Sequence, residues 1–258
     1  MFTELQSNEA HFHALEEGMA RHTVMISMSK GQEVGTGTLL SFGSTNLILT
    51  ANHNLQEPRL SELRFGFNHG GNLQAAATSE TATKKPLPYY TLKFRDRDEI
   101  IRDEKNDIAA LILHPTEKPR GVAGFYDASA LKPLPIPDGK SVVFLGFPVG
   151  NSADIGQGKR LVSPVSEHSR YDSTLNQSTY LPSSYNPNCE FLLKYELIED
   201  GLRPHGFSGA AAWCPLEPKG AIWTPDLILV GVITSYLKEQ QLLVLAGLRA
   251  VVELVSHL

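Results

Sequence analysis

The sequence predicts an all-β fold in two strand-rich halves, as paired barrels or paired sandwiches, closed by a C-terminal helix. Three observations carry this expectation. Short β-rich runs recur along most of the chain, punctuated by Gly, Ser and Asn. Five prolines between residues 115 and 137 separate the runs into two groups of about six. At the end, "LRAVVELVSHL" places its apolar residues at helical rather than strand spacing.

Residues 5–20 read as a short amphipathic helix, with Leu5, Phe12, Leu15 and Met19 on one stripe. The period then shortens. Strands are expected at 23–29, 35–42, 46–51, 63–68, 89–94 and 107–113. The charge run "RDRDEIIRDEK" (95–105) reads as a solvated hairpin leading to Asp107. After the prolines, strands are expected at 141–148, 160–165, 190–197, 209–214, 227–236 and 242–248. The polar stretch 166–188 reads as a long surface loop. Trp213 and Cys214 read as core. The expected units are a helical segment over 1–22, a first β unit over 23–115, a linker over 116–139, a second β unit over 140–247 and a helix over 248–258. The C-terminal helix should dock through Leu248, Val251, Val252 and Val255.

Composition narrows the function classes. The chain has 258 residues, 41% hydrophobic and 20% charged, as soluble globular proteins do. A net charge of −5 gives no reason to expect nucleic acid or an anionic membrane as partner. No apolar run approaches the ~20 residues of a membrane span. "MFTELQSNEAHFHALEEGMARH" lacks a basic start followed by an apolar core, so a cytoplasmic location is expected. Cys189 and Cys214 read as free thiols of a reducing compartment, with a single bridge as the alternative. No cofactor and no metal are expected.

Three local patterns carry chemistry. "LILTANHNL" places His53 just after an apolar strand, "EKNDIAALIL" places Asp107 at the mouth of another, and "HGFSGAA" places Ser208 in a glycine turn before a third. Each alone is an ordinary turn residue. Together they supply a nucleophile, a base titrating near neutrality, and a carboxylate to fix the tautomer of that base. An α/β-hydrolase would need Gly two residues after the serine and a later His, but Ala210 stands there. "GQEVGTGT" lacks the Gly-Lys-Ser/Thr ending of a phosphate loop.

In "GTGTLLSF…LILTANHNL", "NDIAALIL", "GFSGAAAW" and "LILVGVITSY", in that order, the chain resembles the trypsin-like (chymotrypsin-fold) serine peptidases over roughly residues 20–250. The resemblance implies two six-stranded antiparallel β-barrels with a C-terminal helix. It implies His53 as general base, Asp107 as its partner, Ser208 as nucleophile, and an oxyanion hole from the N–H groups of Gly206 and Ser208. It places Leu202, His205, Thr234, Ser235 and Tyr236 around the substrate. No acidic residue stands where selectivity for Arg or Lys needs one, so a small or apolar side chain is expected. Arg203 and His205 leave an acidic preference open.

One departure bears on activation. The residue before Ser208 is Phe207, where the secreted digestive members have an aspartate that receives a newly cut N-terminus. Activation by that cleavage is therefore not expected. The oxyanion loop should be held by packing of Phe207, or ordered by a ligand or partner. The implied activity is endopeptidase cleavage of protein or peptide substrates, restrained by a regulatory partner or effector. A catalytically inactive protease-fold binding or scaffold protein is the alternative from another class, and a capsid-type viral protease a lesser third.

Overall fold

The computed structural model describes residues 12–28, 33–55, 63–67, 89–90, 100–114, 124–129, 131–133, 135–148, 152–154, 160–162, 165–177, 181–195, 204–216, 226–256 and 258. Leu5, Leu202 and Arg203 lie outside these residues, as do the last positions of several expected strands.

The first sheet contains β1 (Thr23–Met28), β2 (Glu33–Phe42), β3 (Thr45–Ala51), β4 (Leu63–Phe67), β5 (Tyr89–Tyr90), β6 (Ile100–Asp103), β7 (Ile108–Leu113) and β8 (Tyr126–Asp127). Its order is β5-β4-β1-β2-β3-β7-β6, antiparallel throughout, with β8 added in parallel beside β2. β6 lies inside the charge run read as a solvated hairpin, and β8 inside the stretch read as a linker. Both are short, and pairing with a buried strand rather than an apolar pattern of their own holds them in place.

The second sheet runs β12-β9-β14-β15-β16-β13. Its strands are β9 (Ser141–Gly146), β12 (Val165–Arg170), β13 (Glu190–Lys194), β14 (Ala211–Pro215), β15 (Leu227–Leu237) and β16 (Leu242–Gly247). A Tyr171–Leu193 bridge brings its two edge strands together. The expected strand 160–165 falls into two elements on either side of Ser163 and Pro164. β11 (Arg160–Val162) forms a ribbon with β10 (Ser152–Asp154), while β12 pairs with β9. The first residues of the expected polar loop are thus β12, and Ser173–Gln177 form a 3₁₀ turn. β12 carries polar residues on both faces, and of them only Ser169 is buried.

Period-two alternation explains how each strand serves two cores. In β9, Val142 and Phe144 point into the interior of the second sheet with Leu193, Phe207, Ile233 and Leu245. Val143 and Leu145 point the other way, into a layer with Trp213 and Leu229. That layer also receives Leu15 and Met19 of α1, a helix through residues 12–20, and Val251 and Leu254 of α2 (Leu248–Val255). The interior of the first sheet is separate, built from Val24, Ile26, Leu39, Ile48, Phe65 and Leu111. The fold is therefore all-β and antiparallel, with a C-terminal helix, and is compatible with a chymotrypsin-like architecture. Cys189 and Cys214 are unbridged. Among the described residues no helix is long and apolar enough to cross a membrane.

Candidate active site

His53 sits in a 3₁₀ turn, Asn52–Leu55, that begins where β3 ends. β3 is buried along "LILTA", which fixes the position of the turn. Arg102, on β6, clamps both ends of the turn: Nη1 donates to Asn52 Oδ1 at 2.6 Å and Nη2 donates to the Leu55 carbonyl at 3.2 Å. Two charge-assisted bonds from a planar guanidinium hold a short turn that could not hold itself.

Asp107 precedes β7 and pairs with His53 through both carboxylate oxygens. Oδ2 lies 2.6 Å from His53 Nδ1, and Oδ1 accepts the His53 backbone N–H at 3.0 Å. Its own carbonyl accepts the Asn52 N–H at 2.8 Å. Asp107 has φ 51°, left-handed backbone that a non-glycine residue seldom adopts and Asp tolerates better than most. The carboxylate thus sets the ring's tautomer, with the proton on Nδ1 and a lone pair on Nε2, and sets the ring's direction as well.

Ser208 lies in the turn before β14. Its carbonyl accepts the Thr36 N–H at 2.9 Å and Asn54 Nδ2 at 2.8 Å. Asn54 is the residue after His53, so the His53 and Ser208 turns are directly hydrogen-bonded segments from different sheets. The Ser208 hydroxyl donates to the Thr234 carbonyl at 3.5 Å, and among the described residues no hydrogen bond joins it to His53. Gly206 and Gly209 have φ of 100° and 88°. An ideal Cβ on Gly209 would overlap the Thr36 carbonyl oxygen and Thr50 Oγ1, so glycine is needed there for space and for conformation.

No family model matches this sequence, and no curated protein matches it.

Around these groups, Phe207 is fully buried, edge-on to Phe144 (5.4 Å, 89°) and near Tyr195 (6.2 Å). Thr234 is buried at a register shift between β15 and β16, and its hydroxyl donates to the Val244 carbonyl at 3.2 Å. Such bulges re-aim side chains and backbone next to sites. Ser235 and His205 are exposed and Tyr236 is half-buried. The Tyr236 hydroxyl is buried without a hydrogen-bond partner among the described residues, 5.9 Å ring to ring from Tyr195. Burial pushes the Tyr236 phenol up, and burial with the neighbouring Glu167 and Tyr236 pushes Tyr195 up to about 12. Both rings are therefore neutral at physiological pH. Among the described residues no group of three His, Cys, Asp or Glu side chains is gathered as metal ligands.

The sequence reading did not single out Thr36, Asn52, Asn54 or Arg102. A signal for the first existed: "TGT" puts polar hydroxyls at alternate positions of a strand whose neighbours are apolar, and a buried hydroxyl must find a partner.

Proposed function

We propose that the protein is a trypsin-like serine endopeptidase working through an acyl-enzyme. The observation that supports this reading best is the double bond of Asp107 to His53, on a turn whose next residue is hydrogen-bonded to the carbonyl of Ser208.

In this mechanism Ser208 Oγ turns from the Thr234 carbonyl toward His53 Nε2. The imidazole takes the hydroxyl proton as Oγ bonds to the carbonyl carbon of the scissile peptide. The carbonyl electron pair moves to oxygen, where the N–H groups of Gly206 and Ser208 receive it. Among the described residues neither N–H is engaged by an acceptor. Asp107 stabilises the imidazolium formed. The C–N bond then breaks, its electrons leave with nitrogen, and His53 returns the proton to the departing amine. Water, deprotonated by His53, then attacks the ester carbonyl; the C–Oγ bond breaks, and His53 returns the proton to Ser208 Oγ. Each lost oxyanion donor costs about 10²–10³ in rate. The neutral Tyr236 phenol beside the substrate supports a preference for apolar or small side chains. Restraint by a regulatory partner or effector remains part of this proposal.

A second reading is favoured by the resting position of the serine hydroxyl on Thr234 rather than on His53. In it the protein is an inactive protease-fold scaffold. A fluorophosphonate probe separates the two. Stoichiometric labelling of wild type, abolished in Ser208→Ala and strongly slowed in His53→Ala, is expected. Absence of labelling in the folded wild-type protein, with and without cell extract as a source of effector, would favour the scaffold.

A further inference from the structure

A turn built on two positive-φ glycines is pliable backbone, and it stays in one shape only if its surroundings over-determine it. The peptide planes of this turn are pinned one after another. The plane between Gly206 and Phe207 is held at its oxygen by Thr36 Oγ1, which donates to the Gly206 carbonyl at 2.6 Å. It is held at its N–H by the Pro204 carbonyl at 3.1 Å. The plane between Phe207 and Ser208 is held at its oxygen by the Ala210 N–H at 2.8 Å. The plane between Ser208 and Gly209 is held at its oxygen by the Thr36 N–H and Asn54 Nδ2. Its N–H is held by the Ile233 carbonyl at 2.7 Å.

Thr36 acts on two of these three planes, and it comes from β2 of the other sheet. It is fully buried, and every polar atom it has is used. Its hydroxyl oxygen accepts the Phe147 N–H at 3.0 Å while donating to Gly206, and its carbonyl accepts Thr50 Oγ1 at 2.7 Å. The space around it is reserved by glycines. A Cβ on Gly146 would lie 3.0 Å from Thr36 Oγ1 and 2.6 Å from the Phe207 ring.

We infer that Thr36, seconded by Asn54, is the positioning residue that locks the Ser208 turn from the opposite sheet and leaves the Gly206 and Ser208 N–H groups free to receive charge. The inference rests on the peptidase reading for its catalytic meaning, but the lock itself is a statement about the turn. It gives the chain an internal means of ordering the turn where Phe207 rules out an ion pair with a cut N-terminus.

Thr36→Val preserves shape and removes the donor, whereas Thr36→Ser keeps the donor. Two readouts on the full chain test the lock: amide hydrogen exchange at residues 206–210, and the second-order rate of fluorophosphonate labelling. Thr36→Val is expected to speed exchange at 206–210 while β9 and β16 stay protected, and to slow labelling about 10²-fold. Thr36→Ser restores both. Wild-type exchange and labelling in Thr36→Val overturn the assignment, as does a Thr36→Ser protein that behaves like Thr36→Val. If Thr36→Val does not fold, Thr36→Cys is compared with Thr36→Ser, because a thiol is the weaker donor of a near-isosteric pair. Equal rates in those two overturn the assignment. A folded wild type that resists the probe both with and without cell extract removes the peptidase reading, and the exchange comparison then decides the lock by itself.

Discussion

Asp107 grips His53 twice, its Oδ2 against the ring Nδ1 at 2.6 Å and its Oδ1 under the backbone N–H at 3.0 Å. One carboxylate therefore fixes both the ring and the chain that carries it. Only the ring contact depends on which atom bears the proton.

Asp107→Asn follows from that division. Asn tolerates the left-handed φ and its carbonyl oxygen can keep one of the two bonds, so the fold should persist. If the amide NH₂ faces Nδ1, the imidazole takes the wrong tautomer for a base. Under the proposed peptidase function, peptide hydrolysis is expected to fall by about 10⁴, with the thermal midpoint within a few degrees of wild type. Steady-state kinetics beside calorimetry check this, and unchanged turnover would remove Asp107 from the site.

Phe207→Ala tests the packing behind the serine. The ring is fully buried against Phe144 and Tyr195, in the interior of the second sheet. Truncation removes its transfer free energy and leaves a cavity, costing about 3–5 kcal/mol in urea unfolding. A cost below about 1 kcal/mol would show that the turn does not rely on this anchor.

Gly209 and Gly43 both have positive φ, yet they carry different loads. A Cβ at Gly43 meets nothing within 4 Å, so Gly43→Ala pays only for backbone conformation, about 1–2 kcal/mol. At Gly209 the same methyl would strike Thr36 and Thr50. Gly209→Ala is expected to prevent accumulation of folded protein, or to break the contacts between the two sheets. Expression yield and denaturant midpoints of the two variants check the contrast.

His22 gives a pH dependence with a definite sign. Its Nδ1 faces the Gly124 carbonyl at 3.2 Å, and its ring packs against both Tyr126 and Trp213, which also touch each other. Burial lowers its pKa below the ordinary 6.5, and the nearby Arg21 adds to this. The Gly124 bond opposes them. The unfolded chain therefore binds the proton first as pH falls. The contribution of this histidine is present above pH 6.5 and is lost as pH falls through 6.5 toward the lower folded value. His22→Gln should flatten that part of the stability-versus-pH curve. Parallel wild-type and variant curves between pH 5 and about 7 would contradict it.

Long apolar strands were legible because a continuous apolar run is a local signal: "LILTA", "IAALIL" and "SVVFLG" are buried on both faces. β6, β8 and β12 were not, since "IIRD", "YD" and "VSEHSR" are short or polar and become strands through their partners. At the site, the types and order of His53, Asp107 and Ser208 stood in the sequence. The groups that orient them did not, because Arg102, Thr36 and Asn54 act across chain separations that no local pattern records.

By itself the sequence determined an all-β chain in two strand groups with a terminal helix, because burial and pleat act on neighbouring residues. It also determined that an imidazole, a carboxylate and a hydroxyl lie at strand ends. Only the tertiary structure decided that Asp107 reaches His53 with both oxygens, that Ser208 rests on Thr234, and that Thr36 of one sheet holds the turn of the other. A hydrogen bond has a distance and a direction but no sequence period, so these relations exist only once the sheets have met.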